Sequence, residues 1–572
     1  MTSHSAVLQQ INQALDSHNL AKALELSQLL PACFEQHLMQ NTIAMKLKDR
    51  DLFDHSMAKM IQTAESLTEK DRCFVAMADF NRAVGNSMKA LDYYAKAFRI
   101  DPTNQQRNLE YLDYALKQLH ATDFTLKLST QLVNDADWAA KALHKLISFA
   151  YRFNNKTDLE TYFQLIKERN ILFSGSSRVE IIEVYIRAQL SEQAAFLRSQ
   201  YAASLNSLEL TILDCQSAVA SRDFAQAIAL IDQLDIQVLN RIPYLQYVRG
   251  NAMISMKQHE QGFHELIRAS QAHRANINGM IKRGETPCRN LIADVDQHFD
   301  NRSDAVESTL PPDQLTGPSP IFMVGFPRSG TTLLERMIDT HPELTTINEK
   351  PMIDDVRSFM EQQLGLKYPE SLPSLTVDQV NLLRSRYWET LHKMSAIPNG
   401  VQPVDKHPWA INQLPLIASV FPDAKVIVCL RHPMDCVYSC FRQNFISSFE
   451  NNQIITINEC AKRYVEVMDF YDELKPFYPF ELLEVAYEHV VSESEAQISK
   501  LFEFLAVPYD SGFKHFNEHA KQSAVTSASL YQVTQPLYTS AIHSWSPIRQ
   551  QLQEPLGILA RRIEIFSKII NL

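Results

Sequence analysis

No stretch of the 572 residues approaches the roughly 20 consecutive apolar positions that a membrane-spanning helix needs. The opening "MTSHSAVLQQINQALD" puts no basic start before an apolar core, so a secretory signal is not expected. The eight cysteines are scattered, without CxxC pairs and without histidines interleaved at zinc spacing. That usage favours a reducing compartment and no structural metal. Excess positive charge is lacking as well. A formal net charge of −11 argues against general binding of nucleic acid or an anionic membrane, while leaving room for a local basic pocket. The expectation is a cytoplasmic protein with no nucleic-acid partner, no membrane span and no metal.

What is present points to more than one domain, because 572 residues exceed one ordinary core. Residues 1–275 read as amphipathic helices broken by short polar turns. The clearest unit is "DRCFVAMADFNRAVGNSMKALDYYAKAFRIDPTN", residues 71–104. Small Ala90 and Ala97 allow two helices to approach, Tyr94 fills the groove, and Pro102 ends the second helix. Its length of 34 and these positions resemble a tetratricopeptide repeat (TPR). A weaker copy starts at Pro243, with Gly250, Gly262, Leu266 and Ala269 at equivalent offsets. Such pairs stack because none buries its apolar face alone, so a TPR-like superhelix is expected over 1–275. A partner protein or a second copy of the chain is a possible ligand of its concave face.

Residues 276–315 read as a linker, rich in Pro, Ser and Asp. Beyond it, in 316–572, the short apolar runs "IFMVG", "AKVIVCL" and "LLEVAY" alternate with longer helical patterns. That alternation predicts an α/β domain with a mainly parallel central sheet.

Within it, "GFPRSGTT" (325–332) nearly spells a nucleotide-binding P-loop. A strand leads through a tight turn into a helix, and the backbone N–H groups of Ser329, Gly330, Thr331 and Thr332 converge where the helix N-terminus adds positive potential. ATP and GTP hydrolases place a lysine here, with a magnesium ion on the following hydroxyl. This chain has Thr331 instead, and Arg328 inside the loop. Arginine's planar fork suits two oxygens of one tetrahedral group. The loop therefore suits a short anionic chain with a transferable end, the phosphosulfate of 3'-phosphoadenosine 5'-phosphosulfate (PAPS). A second strand–turn–helix, "AKVIVCLRHPMDCVYSCF", carries Arg431 and, eight residues on, Ser439. These can hold a separate 3'-phosphate; alternatively Arg431 pairs with Asp435.

Six ordered motifs, "PRSGTTL", "THPEL…NEKP", "VDKHPW", "FPDAKVIVCLRHPMDCVYSCF", "VAYEHVV" and "SLYQVTQPLY…SW", make the region from about 316 to 550 resemble a sulfotransferase. The sequence resembles bacterial proteins that join TPR units to such a domain, the catalytic part being similar to tyrosylprotein sulfotransferases. The resemblance implies that Arg328 and residues 329–332 bind the 5'-phosphosulfate, and that Arg431 and Ser439 hold the 3'-phosphate. Glu349, 21 residues after Arg328, falls at the position of the general base. Lys406 would hold the bridging oxygen, Ser529 would assist the same leaving group, and Tyr487 would line the nucleotide. A phenol with a pKa of about 10 needs a carboxylate to take its proton, which suits Glu349. The duller role for Lys406 is pairing with Asp405. His341, His407 and His432 have no positional argument as bases beyond Glu349. The chain departs from its relatives at Ser544, where they carry a basic residue before the tryptophan; Arg442 or Lys521 is then a substitute cation. The expected function is transfer of a sulfuryl group from PAPS to a hydroxyl, foremost a protein tyrosine, without metal. A sugar, lipid or small-molecule hydroxyl, a P-loop kinase and a non-catalytic scaffold are the competing readings.

Overall fold

The computed structural model describes residues 4–17, 19–47, 49–83, 87–117, 123–152, 156–282, 289–306, 310–395, 397–445, 447–522 and 535–570. They group into two compact units. One comprises Met1–Leu146 with Ser358–Gly365, the other Ile147–Arg357 with Leu366–Leu572.

Between Met1 and Leu146 the described elements are all helices. The unit singled out by its small residues forms the antiparallel-type pair Leu67–Ala83 and Ser87–Ile100. Ala90 and Ala97 are fully buried and Tyr94 nearly so. The Tyr94 hydroxyl donates to Asp79 Oδ1 at 2.6 Å, and its ring stacks on Tyr111 at 4.0 Å. A buried phenol thus satisfies its polar end while its ring fills the groove.

The larger unit continues with helices before its sheet. In the pair Pro243–Ser255 and His259–Lys282, two glycines let the backbones touch. A Cβ on Gly262 would stand 2.6 Å from the Gly250 carbonyl oxygen, and one on Gly250 would stand 2.8 Å from Leu266 Cγ. Any side chain at either position would force the helices apart. The second helix runs on to Lys282, and Leu291–His298 forms a further helix within the stretch whose composition reads as a linker.

Five parallel strands follow: β1 Ile321–Gly325, β2 Leu344–Asn348, β3 Gln402–Lys406, β4 Lys425–Leu430 and β5 Glu481–Ala486. Their order is β2-β3-β1-β4-β5. Every residue of β1 is buried, as are the last five of β4, which is why both read as continuous apolar runs. The predicted parallel sheet is therefore present. β2 ("LTTIN") and β3 ("QPVDK") are additional strands that no apolar run announces. Met323, Ile427, Val404 and Val485 from four strands join Leu334, Met337 and Ile338 in one core cluster. The connections from β1 and β3 leave in opposite directions along the sheet, making a switch point at which the carboxyl ends of β3, β1 and β4 lie side by side. In open α/β sheets, ligands bind in that crevice.

Candidate functional site

At the carboxyl end of β1 the chain turns through Phe326–Gly330 and enters the helix Thr331–Ile338. Arg328 and Gly330 both adopt left-handed backbone, with φ of 70° and 100°. A Cβ on Gly330 would stand 2.8 Å from Tyr487 Cδ2, so the close approach of the loop to that ring admits only glycine. Ser329, Thr331 and Thr332 are buried, and Ser329 Oγ has no hydrogen-bond partner among the described residues. The first amides of a helix have no intrahelical acceptor, so this turn presents donors to an anion.

The second turn lies against the first because β1 and β4 are neighbours. Arg431 donates from its two terminal nitrogens to the carbonyl oxygens of Arg328 (3.1 Å) and Ala541 (2.7 Å). Its guanidinium carbon sits 4.4 Å from the centre of the Tyr487 ring. Its Nε is buried with no partner among the described residues. Ser439, in the helix Pro433–Phe441, accepts a 2.9 Å hydrogen bond from Arg328 Nε. Ser439 shares a segment with Arg431, as the sequence pairs them, but its hydroxyl meets the arginine of the other turn. Burial holds the Arg328 guanidinium below its usual proton affinity, and the charges of Arg431 and Arg442 act in the same direction. Asp435, the alternative partner for Arg431, instead accepts the backbone N–H groups of His543 (2.9 Å) and Ser544 (3.2 Å).

β3 ends in Lys406, which is fully buried. Its amine donates to Asn348 Oδ1 (2.7 Å) and Glu349 Oε1 (2.8 Å), and lies 3.0 Å from Glu335 Oε2. Burial opposes its charge, but Glu335 and then Glu349 outweigh that and hold the amine above the usual lysine value. Glu349 itself has φ of 46°, and its N–H donates to the Lys406 carbonyl at 2.7 Å. Backbone in this region costs of order 1–3 kcal/mol and persists where the surroundings fix it. Lys406, ahead of His407 and Arg328, holds the Glu349 carboxyl below the ordinary glutamate range despite the opposing effect of burial. Glu349 remains 47% exposed at its side chain, whereas Glu335 is at 0%. Asp405 points to the opposite face of the strand. There it accepts from the Tyr387 hydroxyl at 2.9 Å, and burial pushes its carboxyl up to about 6.

A cavity of about 390 Å³ opens over these turns. Arg328, Gly330, Thr331, Thr332, Arg431 and Tyr487 line it, and so do Glu349, His407, Trp409, Asn444, Phe445 and Asn451. Gln535, Leu537, Tyr538 and Ala541 form a further part of the wall. Ser529 lies outside the described residues, as does the Lys521 side chain. Arg442 is engaged by Asn251, to whose Oδ1 it donates at 2.8 Å. At the Ser544 departure, the neighbouring Trp545 is buried and stacks on His432 at 5.7 Å. Burial pulls His432 down to about 4, so it is neutral at physiological pH, and His341 bonds the Pro508 carbonyl oxygen at 2.9 Å. Of the three histidines only His407 reaches the cavity wall. Sequence reasoning missed Glu335. The one signal available was a carboxylate on the helix face that also carries Leu334 and Ile338 into the core.

Residues 320–511 match the family described as the sulfotransferase family. The chain is 25% identical over 259 residues to protein-tyrosine sulfotransferase 1 of Danio rerio, covering 42% of this chain and 69% of that protein. An uncharacterized protein of Aquifex aeolicus is 26% identical over 248 residues, covering 42% of this chain and 32% of the relative. The alignment thus spans between about a third and about two thirds of the length of these relatives. Among solved structures, the sulfotransferase domain from the Synechococcus PCC 7002 olefin synthase aligns with 42% of this chain and 91% of its own, at 17% identity and a TM-score of 0.28. No described helix is long and apolar enough to cross a membrane. The C-terminal region of the chain is a sulfotransferase-family domain, homologous to protein-tyrosine sulfotransferases.

Proposed function

We propose that the chain transfers a sulfuryl group from PAPS to a hydroxyl of a protein tyrosine. The observation that carries this reading is a single cavity bordered by Arg328, Arg431, a helix N-terminus and the half-exposed carboxylate of Glu349.

The donor fits the residues present. The Ser329 amide is taken by the Phe326 carbonyl oxygen at 3.2 Å, so the turn offers the amides of 330–332, the Ser329 hydroxyl and the Arg328 fork for the 5'-phosphosulfate. Arg431, with its buried unpartnered Nε, suits the 3'-phosphate, Ser439 would join it there only by giving up its bond from Arg328 Nε, and the Tyr487 ring offers a face for the adenine. When bound, PAPS supplies an electrophilic sulfur whose departing oxygen carries phosphate charge. On the protein side, Glu349 is ionised at neutral pH and accepts the proton of the attacking hydroxyl. Lys406, held charged, offers that charge to the departing phosphate. Trp409 and Phe445 on the cavity wall favour a flat apolar acceptor such as a phenol over a bare aliphatic hydroxyl.

The test has two parts. Calorimetric titration with adenosine 3',5'-bisphosphate should show stoichiometric binding without magnesium, and binding of ATP should be far weaker. With labelled donor and a tyrosine-containing peptide, sulfate should appear on the phenol. Normal incorporation by Glu349→Ala would remove the base assignment, and label on a sugar panel alone would remove the tyrosine assignment.

A further inference from the structure

A second cavity, of about 260 Å³, adjoins the first, and Asn444 lines both. One wall comes from helices that precede the sheet and carries Phe224, Tyr244, Tyr247 and Asn251. The other is the loop Arg442–Asn444, which follows the helix Pro433–Phe441 and leads to Phe445 in the catalytic cavity. A reciprocal clasp joins the two walls: Asn251 Nδ2 donates to the Arg442 carbonyl oxygen at 2.9 Å, and Arg442 Nε donates to Asn251 Oδ1 at 2.8 Å. A second tie lies nearby. Arg274 donates to the Asn452 carbonyl oxygen and to Glu459, both at 2.6 Å, beside Asn451, which lines the first cavity. The helical array therefore fixes two loops of the catalytic wall.

The chemistry of this groove is specific. Among the described residues its lining contains no carboxylate and one cation, Arg442, which is already clasped. Aromatic rings of Phe224 and Tyr244 give it an apolar side, while Gln443 and the exposed Asn444 offer amides with both donors and acceptors. Tyr247, at its base, has a buried hydroxyl with no hydrogen-bond partner among the described residues. Paired donors and acceptors beside an apolar wall match a polypeptide backbone and one of its side chains.

We propose that this groove binds the polypeptide segment flanking the acceptor residue, so that the last helical pairs act as a specificity site for the reaction. The inference rests on the protein-tyrosine reading. It goes beyond it in locating the flanking-chain contact on Phe224, Tyr244 and Asn444, continuous with the cavity at Asn444. A free phenol would fill only the first cavity, whereas a peptide would use both.

The experiment measures binding before chemistry. Full-length protein saturated with adenosine 3',5'-bisphosphate is titrated with a fluorescent pool of short peptides centred on phenylalanine, which occupy the site without reacting. N-acetyl-tyrosine amide serves as the small competitor. Wild type should bind the pool about tenfold tighter than the amide, equivalent to about 1.4 kcal/mol. Ser255→Trp, on the exposed rim of the groove, should abolish that advantage, and Phe224→Ala should weaken it several-fold. Nucleotide affinity should stay unchanged in both, showing that each variant is folded. The proposal is overturned if Ser255→Trp binds peptides as wild type does, if peptides gain nothing over the amide, or if an oligosaccharide pool displaces them through the same residues. Failure of the parent reading looks different: peptides bind and lose affinity in Ser255→Trp, yet tyrosine-centred versions take up no sulfate from labelled donor.

Discussion

Lys406 and Glu335 form an ion pair at 3.0 Å in which neither side chain is exposed to solvent. Glu335 also pairs with Arg336 at 2.8 Å, so its carboxylate has two buried cationic partners. Glu349, at 2.8 Å on the same amine, is the partner that can leave, because its side chain opens to the cavity. Lys406 therefore has one enclosed counter-ion and one accessible from the cavity. Releasing it from Glu349 toward a phosphate oxygen would still leave the amine charged, which suits an electrostatic clamp rather than a proton donor.

Replacing Glu335 by glutamine should expose that arrangement. Removing one partner of a buried ion pair costs about 3–5 kcal/mol, so denaturant unfolding should show a loss of that size. The sign with pH follows from the raised folded-state value of Lys406. Its contribution to stability is full below the unfolded value of about 10.4 and is lost as pH rises through the higher folded value. In Glu335→Gln that upper limit should fall, and the alkaline limb of kcat should move down with it. Glu335→Asp should restore the limb in part. An unmoved alkaline limb would mean that Glu335 only packs.

Glu349 should behave in the opposite sense. Lys406 holds its carboxyl below the ordinary value near 4.3, so whatever stability the pair gives is present above that pH and lost as pH falls through the lower folded value. The acid limb of kcat/KM should accordingly lie below pH of about 4.3 in the wild type. In Lys406→Met the limb should shift upward, because burial then acts on Glu349 without its main opposing charge. Glu349→Ala should lose about 10²–10⁴-fold in rate with nucleotide affinity kept. A pH–rate profile of the three proteins decides the matter.

Why some of this could be read from the sequence and some could not has a physical explanation. β1 and β4 are buried on both faces, so they appear as unbroken apolar runs, and the turn after β1 carries its own glycine and threonine pattern. β2 and β3 contain threonine, asparagine, aspartate, lysine and proline, and only pairing with the sheet makes them strands. Ser439 and Arg431 lie in one segment, so the sequence pairs them. Its bond to Arg328 arises from the adjacency of β1 and β4, a relation separated by 111 residues. Glu335 lies on the helix face of Leu334 and Ile338, but its partner is Lys406, 71 positions later, which no local pattern announces.

Gly330 gives a test of the cradle that leaves the catalytic groups in place. A methyl there meets both Tyr487 Cδ2 at 2.8 Å and a φ of 100° that alanine rarely adopts. Gly330→Ala should therefore push Tyr487 away and disturb the Arg431 guanidinium stacked on it. The expected loss is about tenfold or more in affinity for adenosine 3',5'-bisphosphate, on the order of 1.4 kcal/mol or above. In a Tyr487→Ala background the steric part disappears, so the same substitution should cost less. A double-mutant cycle measured by titration would show this as a coupling energy, and strict additivity would place the cost in backbone strain alone.

Arg431 uses both terminal nitrogens on carbonyl oxygens and stacks on an aromatic ring, a combination that the single ammonium of lysine does not reproduce. Arg431→Lys should then weaken adenosine 3',5'-bisphosphate about 10- to 100-fold, a range typical of losing a charge-assisted pair. It should leave adenosine 5'-monophosphate nearly untouched, because only the first ligand has a 3'-phosphate. Ser439→Ala separates the two possible roles of that hydroxyl. If Ser439 contacts the 3'-phosphate, its loss should mimic Arg431→Lys and spare the monophosphate. If its work is to aim Arg328, through the 2.9 Å bond to Nε, both nucleotides should weaken together and the rate should fall as well. Titrating the two variants with the two nucleotides assigns the hydroxyl to one phosphate or the other. Equal loss of both ligands in Arg431→Lys would instead remove Arg431 from the 3' position.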